Sequence, residues 1–261
     1  MPTIEENQTI WDGEYNWNEA GNEWSAHWGG TVMQWFGTLL PRIHRFVPAP
    51  VILEIAPGFG RWSQFLARLC DELILVDLSA ECAEACQQRF ARLPHVASHQ
   101  NDGRTLPMVE DARIDFAFSF DSLVHADEHA LGSYVAELAR VLRPGGRGFV
   151  HHSNAGEYSR DDLVGLCEDL HFRDFTMSAE KMRGFIADHG LVCVSQEIIP
   201  WGTERALLDT LTVVAPPGPD HDVSNSVPRI LRNHLFMREA EQWLELSHLY
   251  AEPHRRERGV E

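Results

Sequence analysis

The stretch Val51-Ile-Leu-Glu-Ile-Ala-Pro-Gly-Phe-Gly-Arg61 limits what this chain can fold into more than any other. Val51, Ile52, Leu53 and Ile55 form a near-continuous apolar run, the pattern of a strand covered on both faces. Ala56, Gly58 and Gly60 follow at once and leave room for a ligand to approach bare backbone. Helical spacing resumes with Trp62, Phe65, Leu66 and Leu69, so a helix N-terminus faces whatever occupies the turn. Strand, small-residue turn and helix in that order predict an open α/β sheet, with a ligand beyond the carboxyl ends of its strands.

Glu54 puts an acid beside that turn, a poor neighbour for phosphate. Ser63 stands where a dinucleotide-binding turn would carry its third glycine, so a nicotinamide dehydrogenase fits badly. A strand-end acid followed by x-x-x-G-x-G resembles instead motif I of the class I S-adenosylmethionine-dependent methyltransferases. Ala56 takes the place of the first glycine in that family's usual E-x-G-x-G-x-G. The passage Leu138-Ala-Arg-Val-Leu-Arg-Pro-Gly-Gly146 looks like the family's connection between its fourth and fifth strands. The resemblance covers roughly residues 50–155. It implies a Rossmann-like, seven-stranded α/β sheet with helices on both faces. It also implies S-adenosyl-L-methionine as cofactor, with Glu54, Ala56, Gly58 and Gly60 around its methionine moiety.

Within that frame, Glu72-Leu-Ile-Leu-Val-Asp77 reads as a second strand ending in an acid. Asp77, with Leu78 beside it, is placed to accept hydrogens from two vicinal ribose hydroxyls, while Ser79 better suits the cap of the following helix. A third strand is expected near 95–99, followed by Asn101-Asp-Gly103. The resemblance implies that Asp102, flanked by Asn101 and Gly103, contacts adenine; the same residues also suit an ordinary turn. A fourth strand over 113–120 ends in Phe120 and runs into Asp121-Ser-Leu-Val-His125. A helix over about 128–142 and a fifth strand over 148–152 follow. Further on, the pattern gives an insertion at about 154–177 with a short helix near 161–170, and a helix at 179–189. Two terminal strands at 191–199 and 207–215 then form an antiparallel hairpin, by the resemblance.

Three parts are expected: a Trp-rich helical cap over 1–48, a cofactor-binding domain over 49–216, and a linker with a C-terminal helix over 217–261, the helix itself at about 228–249. Trp24, Trp28, Val32, Trp35, Phe36, Leu39 and Leu40 mark one broad helical face in the cap, interrupted at Pro41. Singly these side chains suit a layer packed on the sheet; as a segment they suit a cover over cofactor and acceptor, with Trp24 and Trp28 near the site. The N- or C-terminal helices also offer a homodimer contact.

A net charge of −17 argues against a surface that tracks nucleic-acid phosphates. No apolar run reaches membrane-spanning length, and no apolar signal core opens the chain. The five cysteines, without paired spacing, read as reduced thiols, so a soluble cytoplasmic protein is expected.

For chemistry, the candidates lie where the fourth and fifth strands end. A sulfonium carries its own leaving group, so holding methyl and nucleophile in line is the main task. A hydroxyl acceptor gains acidity as it attacks, and a histidine base would then help. His125, with Asp121 and Asp127 near to orient it, and His151 and His152 on opposite faces of the fifth strand are the candidates. His125 and His129 are four apart beside Asp121 and Asp127, but the pattern lacks the dense ligands of a metal site, so none is expected. Ser119-Phe-Asp-Ser-Leu-Val-His125 and His151-His-Ser-Asn154 are similar to methyltransferases of sugar, surface-polysaccharide and specialised-metabolite pathways. That implies methyl transfer to a hydroxyl of a small polar or sugar-like metabolite. A nitrogen or carboxyl acceptor, or a non-catalytic cofactor-binding module that acts through its C-terminal helix, are the other readings.

Overall fold

In the computed structural model, residues 3–163, 173–201, 205–218 and 227–251 are described. The elements form an eight-stranded sheet in the order β3-β2-β1-β4-β5-β7-β6-β8. Strands β1 (Val51–Ile55), β2 (Glu72–Asp77), β3 (Val96–Gln100), β4 (Ile114–Ser119) and β5 (Leu142–Ser153) run parallel. Strand β7 (Asp209–Ala215) lies antiparallel between β5 and β6 (Val192–Ile199). The Gly145-Gly146 turn falls where the β4–β5 register breaks between Ile114 and Phe116.

The expectation of seven strands is corrected by β8 (Arg229–Arg232), which pairs parallel with the free edge of β6. It also corrects the C-terminal helix, which is confined to Phe236–Leu249 instead of starting near residue 228. Arg-Ile-Leu-Arg has no helical face of its own and is drawn into the ladder by an open sheet edge. The insertion's helix covers Arg160–Leu163, and the rest of its expected span, 164–170, lies outside the described residues.

Alternate residues of the buried strands feed two cores. One face gathers Ile52, Leu73, Leu75, Phe116, Phe118 and Phe149; the other takes Val51, Leu53, Ile55, Ile74, Val76 and Val150. The second face is covered by helices α6 (Glu128–Val141) and α8 (Ala179–Asp188), through Leu131, Val135, Met182 and Ile186. On the first face lie α4 (Ser63–Leu66), α5 (Ala80–Arg89), α9 (Phe236–Leu249) and part of the N-terminal segment.

That segment begins with α1 (Ile4–Thr9), closed by a capping box between Thr3 and Glu6. A π turn (Ile10–Glu14) and a 3₁₀ helix (Asn22–Trp28) follow. Then α2 (Thr31–Gln34), a second π turn (Trp35–Leu39) and α3 (Leu40–Ile43) bury Trp35, Leu39 and Ile43 in the first core. Arg42 clamps this layer, reaching Glu197 of β6 at 2.7 Å and Glu239 of α9 at 2.9 Å. The insertion's α7 (Arg160–Leu163) packs Leu163 with Ala206 and Leu208. No helix among the described residues is long and apolar enough to cross a membrane.

Candidate functional site

The carboxyl ends of β1, β2 and β4 open into a cavity of about 930 Å³, counted to its open mouth. At its floor the chain turns through Ala56 and Gly58, both left-handed (φ 56° and 56°). Asp77 closes this turn from the end of β2. Its Oδ2 accepts the Gly58 N–H at 3.0 Å and its Oδ1 accepts the Ser79 N–H at 2.9 Å. Burial pushes the Asp77 carboxyl up to about 7. Glu54 sits beneath the turn and accepts the Ser63 hydroxyl at 2.5 Å, and burial raises it to about 8. The acid expected beside the turn is thus one that burial holds protonated near neutral pH. Ser63, which broke the dinucleotide pattern, is the partner that satisfies it.

The far wall comes from the loop after β4. Asp121 follows the strand in a left-handed conformation (φ 62°) and binds Arg61 Nη2 at 2.7 Å. Ser122 Oγ donates to the Ala56 carbonyl at 2.8 Å, which ties this loop to the glycine turn. Asp127 caps α6 by accepting the Ala130 N–H and lines the cavity beside His125.

The N-terminal segment supplies the roof. Ile4, Asn7, Trp11, Trp17, Ala20, Gly21 and Trp24 all line the cavity. Asn7 Nδ2 donates to the His125 carbonyl at 3.1 Å, and the Trp11 ring lies 5.6 Å from the His125 ring. Trp17 stacks on Phe59 at 4.5 Å and covers Gly58, where an added Cβ would sit 2.9 Å from the indole. Asp12 anchors the segment by accepting the Ser79 hydroxyl at 2.6 Å.

Of the residues singled out from sequence, Ala56, Gly58, Asp77, Leu78, Gly103, Phe120, Asp121, His125 and Trp24 meet in this cavity. Others do not line it. Gly60 turns against Phe90 and Cys86. Asp102 is exposed and wrapped in its own turn, accepting the Arg104 and Thr105 N–H groups. Asn101 lies behind it, bonded to Tyr134 Oη. Trp28 packs in the core against Trp201 and Phe236 instead of lining the cavity.

The two fifth-strand histidines are sealed inside. His152 lies between the Ser153 carbonyl at 2.9 Å and Thr212 Oγ1 at 2.8 Å, and burial lowers it to about 4. His151 accepts the Asp121 N–H at Nδ1 and reaches Asp209 at Nε2. Neither lines the cavity, in contrast to the placement expected for a base.

Sequence reasoning missed Arg61. It is 3 % exposed, donates to Ser25 Oγ at 3.3 Å, and lies over the Trp24 and Trp62 rings at 5.1 and 4.5 Å. A lone arginine between the glycine turn and an apolar helix was the available signal. Asn7 and the indoles of Trp11 and Trp17 were equally unplaced. Among the described residues, no three His, Cys, Asp or Glu side chains gather as metal ligands.

Comparisons with known proteins agree with this fold. Residues 52–146 match a family described as a methyltransferase domain. No curated protein sequence matches the chain. A geranyl diphosphate methyltransferase solved with GPP and sinefungin is 18% identical, with 82% of this chain and 99% of that one covered at a TM-score of 0.60. Geranyl diphosphate C-methyltransferase from Streptomyces coelicolor A3(2), solved with Mg2+, geranyl diphosphate and S-adenosyl-L-homocysteine, is 14% identical over 83% and 98% (TM-score 0.59). A putative methyltransferase in complex with the Haloferax volcanii Trm112 activator is 19% identical over 79% and 100% (TM-score 0.53).

The chain carries the α/β Rossmann-like methyltransferase fold, and the match to a methyltransferase domain supports S-adenosylmethionine as methyl donor. The cavity fits that donor. A carboxylate at the end of β2 can accept ribose hydroxyls, and the Ala56–Gly58 turn and Gly103 line the space. Arg61, the one cation among the described lining residues, is already paired with Asp121, so nothing there resembles a pyrophosphate cradle.

Proposed function

We propose that the protein transfers a methyl group from S-adenosylmethionine to a hydroxyl of a small polar or sugar-like metabolite, with His125 as general base. The observation that carries this reading is the split among the histidines. His125 lines the same cavity as the Ala56–Gly58 turn and Asp77, whereas His151 and His152 are wholly buried outside it.

The donor supplies an activated methyl on a sulfonium, which needs no further activation by the protein. Asp77 holds the ribose hydroxyls, and the left-handed turn at Ala56 and Gly58 leaves space for the methionine end. The indoles of Trp11, Trp17 and Trp24 offer flat apolar faces to a ring-shaped acceptor and exclude water. A ring nitrogen of His125 takes the hydroxyl proton as attack proceeds. Asp121 and Asp127 add hydrogen-bond acceptors for further hydroxyls.

The two geranyl diphosphate enzymes share the fold, but an allylic diphosphate calls for cationic or metal partners. The sole lining cation among the described residues is neutralised by Asp121, which supports an uncharged acceptor.

The test is methyl transfer to a panel of neutral polyols, amines and diphosphates, read as S-adenosylhomocysteine release. We expect turnover with hydroxyl acceptors, and His125→Gln to lower kcat by roughly 10²–10⁴-fold while donor affinity changes little. Turnover restricted to amines and undisturbed by His125→Gln would overturn the assignment of base and acceptor.

A further inference from the structure

We propose that His151 is a positioning residue that shapes the donor-binding turn from within the core, in the tautomer that carries its proton on Nε2. This rests on the reading of the cavity as the S-adenosylmethionine site.

The tautomer follows from the partners. A backbone N–H can only donate, so the 3.0 Å contact from the Asp121 N–H requires a bare, accepting Nδ1. The proton is then on Nε2 and points to Asp209 Oδ2 at 3.1 Å. Asp209 is wholly buried. Burial opposes its ionisation, but Arg173 and His151 outweigh that and hold it below the usual carboxylate range. Arg173 binds it through Nε at 2.7 Å and Nη2 at 2.8 Å. A charged, clamped carboxylate on one side therefore fixes which nitrogen is free on the other.

What that free nitrogen holds is a strained point. Asp121 has φ 62°, a conformation that aspartate tolerates better than most residues with a Cβ but that still costs free energy and persists because its neighbours hold it. From this residue and its neighbour two connections reach the donor turn. Its carboxylate grips Arg61, which follows Gly60 directly, and the adjoining Ser122 hydroxyl grips the carbonyl of left-handed Ala56. Phe120 and Trp201 pack at 4.7 and 5.2 Å from the imidazole and keep it from turning away. His151 thus touches no ligand, yet it sets the backbone that places Arg61 and Ala56 in the cavity wall.

Two measurements test this on the full chain. In protein with 15N-labelled histidine, the His151 ring should show an unprotonated Nδ1 and a protonated Nε2; a proton on Nδ1 would overturn the proposal whatever any variant does. In calorimetric titration with S-adenosylhomocysteine, His151→Leu should bind about 10-fold more weakly or worse, the scale of one lost buried hydrogen bond. His151→Asn, whose amide oxygen can stand near the Nδ1 position, should recover most of that affinity, which a purely structural role would not predict. Asp77→Ala serves as the reference. If it loses binding while His151→Leu binds like the parent, the positioning role fails and the site stands. If Asp77→Ala also binds like the parent, the site itself is wrong and the proposal falls with it.

Discussion

The ends of β4 and β5 are neighbours in the sheet, both carry histidine, and they have opposite fates. The β4 ladder to β5 closes at Ser119, and the chain beyond it breaks left-handed at Asp121 and runs out over the cavity with His125. Strand β5 stays paired with β7 through His151, His152 and Ser153, opposite Leu211, Thr210 and Asp209. Beyond Val150 strand β5 loses β4 but keeps β7, and its side chains stay buried, whereas a chain that outruns its ladder altogether can present them to a ligand. The position of the last ladder rung, more than residue type, separates a candidate base from a structural histidine.

Substitutions can break or sharpen that contrast. The largest effect is expected at His125, where His125→Ala should cost roughly 10²–10⁴-fold in kcat with the melting temperature little changed. On the β5 side the losses should appear in stability. Arg173→Met leaves Asp209 buried without its cation and should destabilise the fold by about 3–5 kcal/mol in chemical denaturation. His152→Ala removes the partner of Thr212 Oγ1 and opens a cavity, for about 2–4 kcal/mol, while the folded fraction keeps near-parent turnover. Equal loss of turnover from His125→Ala and His152→Ala, per folded molecule, would erase the distinction.

A smaller, pH-dependent contrast lies under the turn. Glu54 and Asp77 ordinarily titrate near 4.5 and 3.8 but are raised to about 8 and about 7 in the fold. The folded chain then keeps protons that the unfolded chain releases. Their contribution to ligand-free stability is fully present below about pH 4 and is lost as pH rises through about 7 to 8. Melting curves from pH 5 to pH 8 should show this decline, and Asp77→Asn should flatten it. S-adenosylhomocysteine affinity should move the other way, tightening as Asp77 ionises and can accept ribose hydroxyls. The smallest change is Ala56→Gly, which relieves a left-handed alanine worth about 1–2 kcal/mol but adds about 0.5–1 kcal/mol of unfolded-chain entropy. A net gain of roughly half a kcal/mol should show in denaturant midpoints.

Much of the fold was legible because apolar runs such as Val51–Ile55 and Glu72–Asp77 are long enough to announce buried strands, and their carboxyl ends place Asp77 and the glycine turn. Three things were not legible, each for a physical reason. Trp24 and Trp28 share a face in an α-helix, but Asn22–Trp28 is a 3₁₀ helix. Four residues there advance about one and a third turns, not about 1.1, so one indole meets the cavity and the other the core. The burial of His151 and His152 depends on β7, a strand distant in sequence whose pairing local pattern does not encode. Strand β8 owes its form to an edge that exists only once β6 is in place.

The left-handed Ala56 has a bearing on how such chains are aligned. Its position is defined by a torsion, and glycine is simply the residue that adopts that torsion most cheaply; asparagine and aspartate, which tolerate it too, are further admissible letters. A pattern written in glycines passes over this turn, whereas a comparison of backbone angles groups it with glycine turns that share its path. Distant relatives of this chain are therefore better sought by the shape of the loop after β1 than by its spelling.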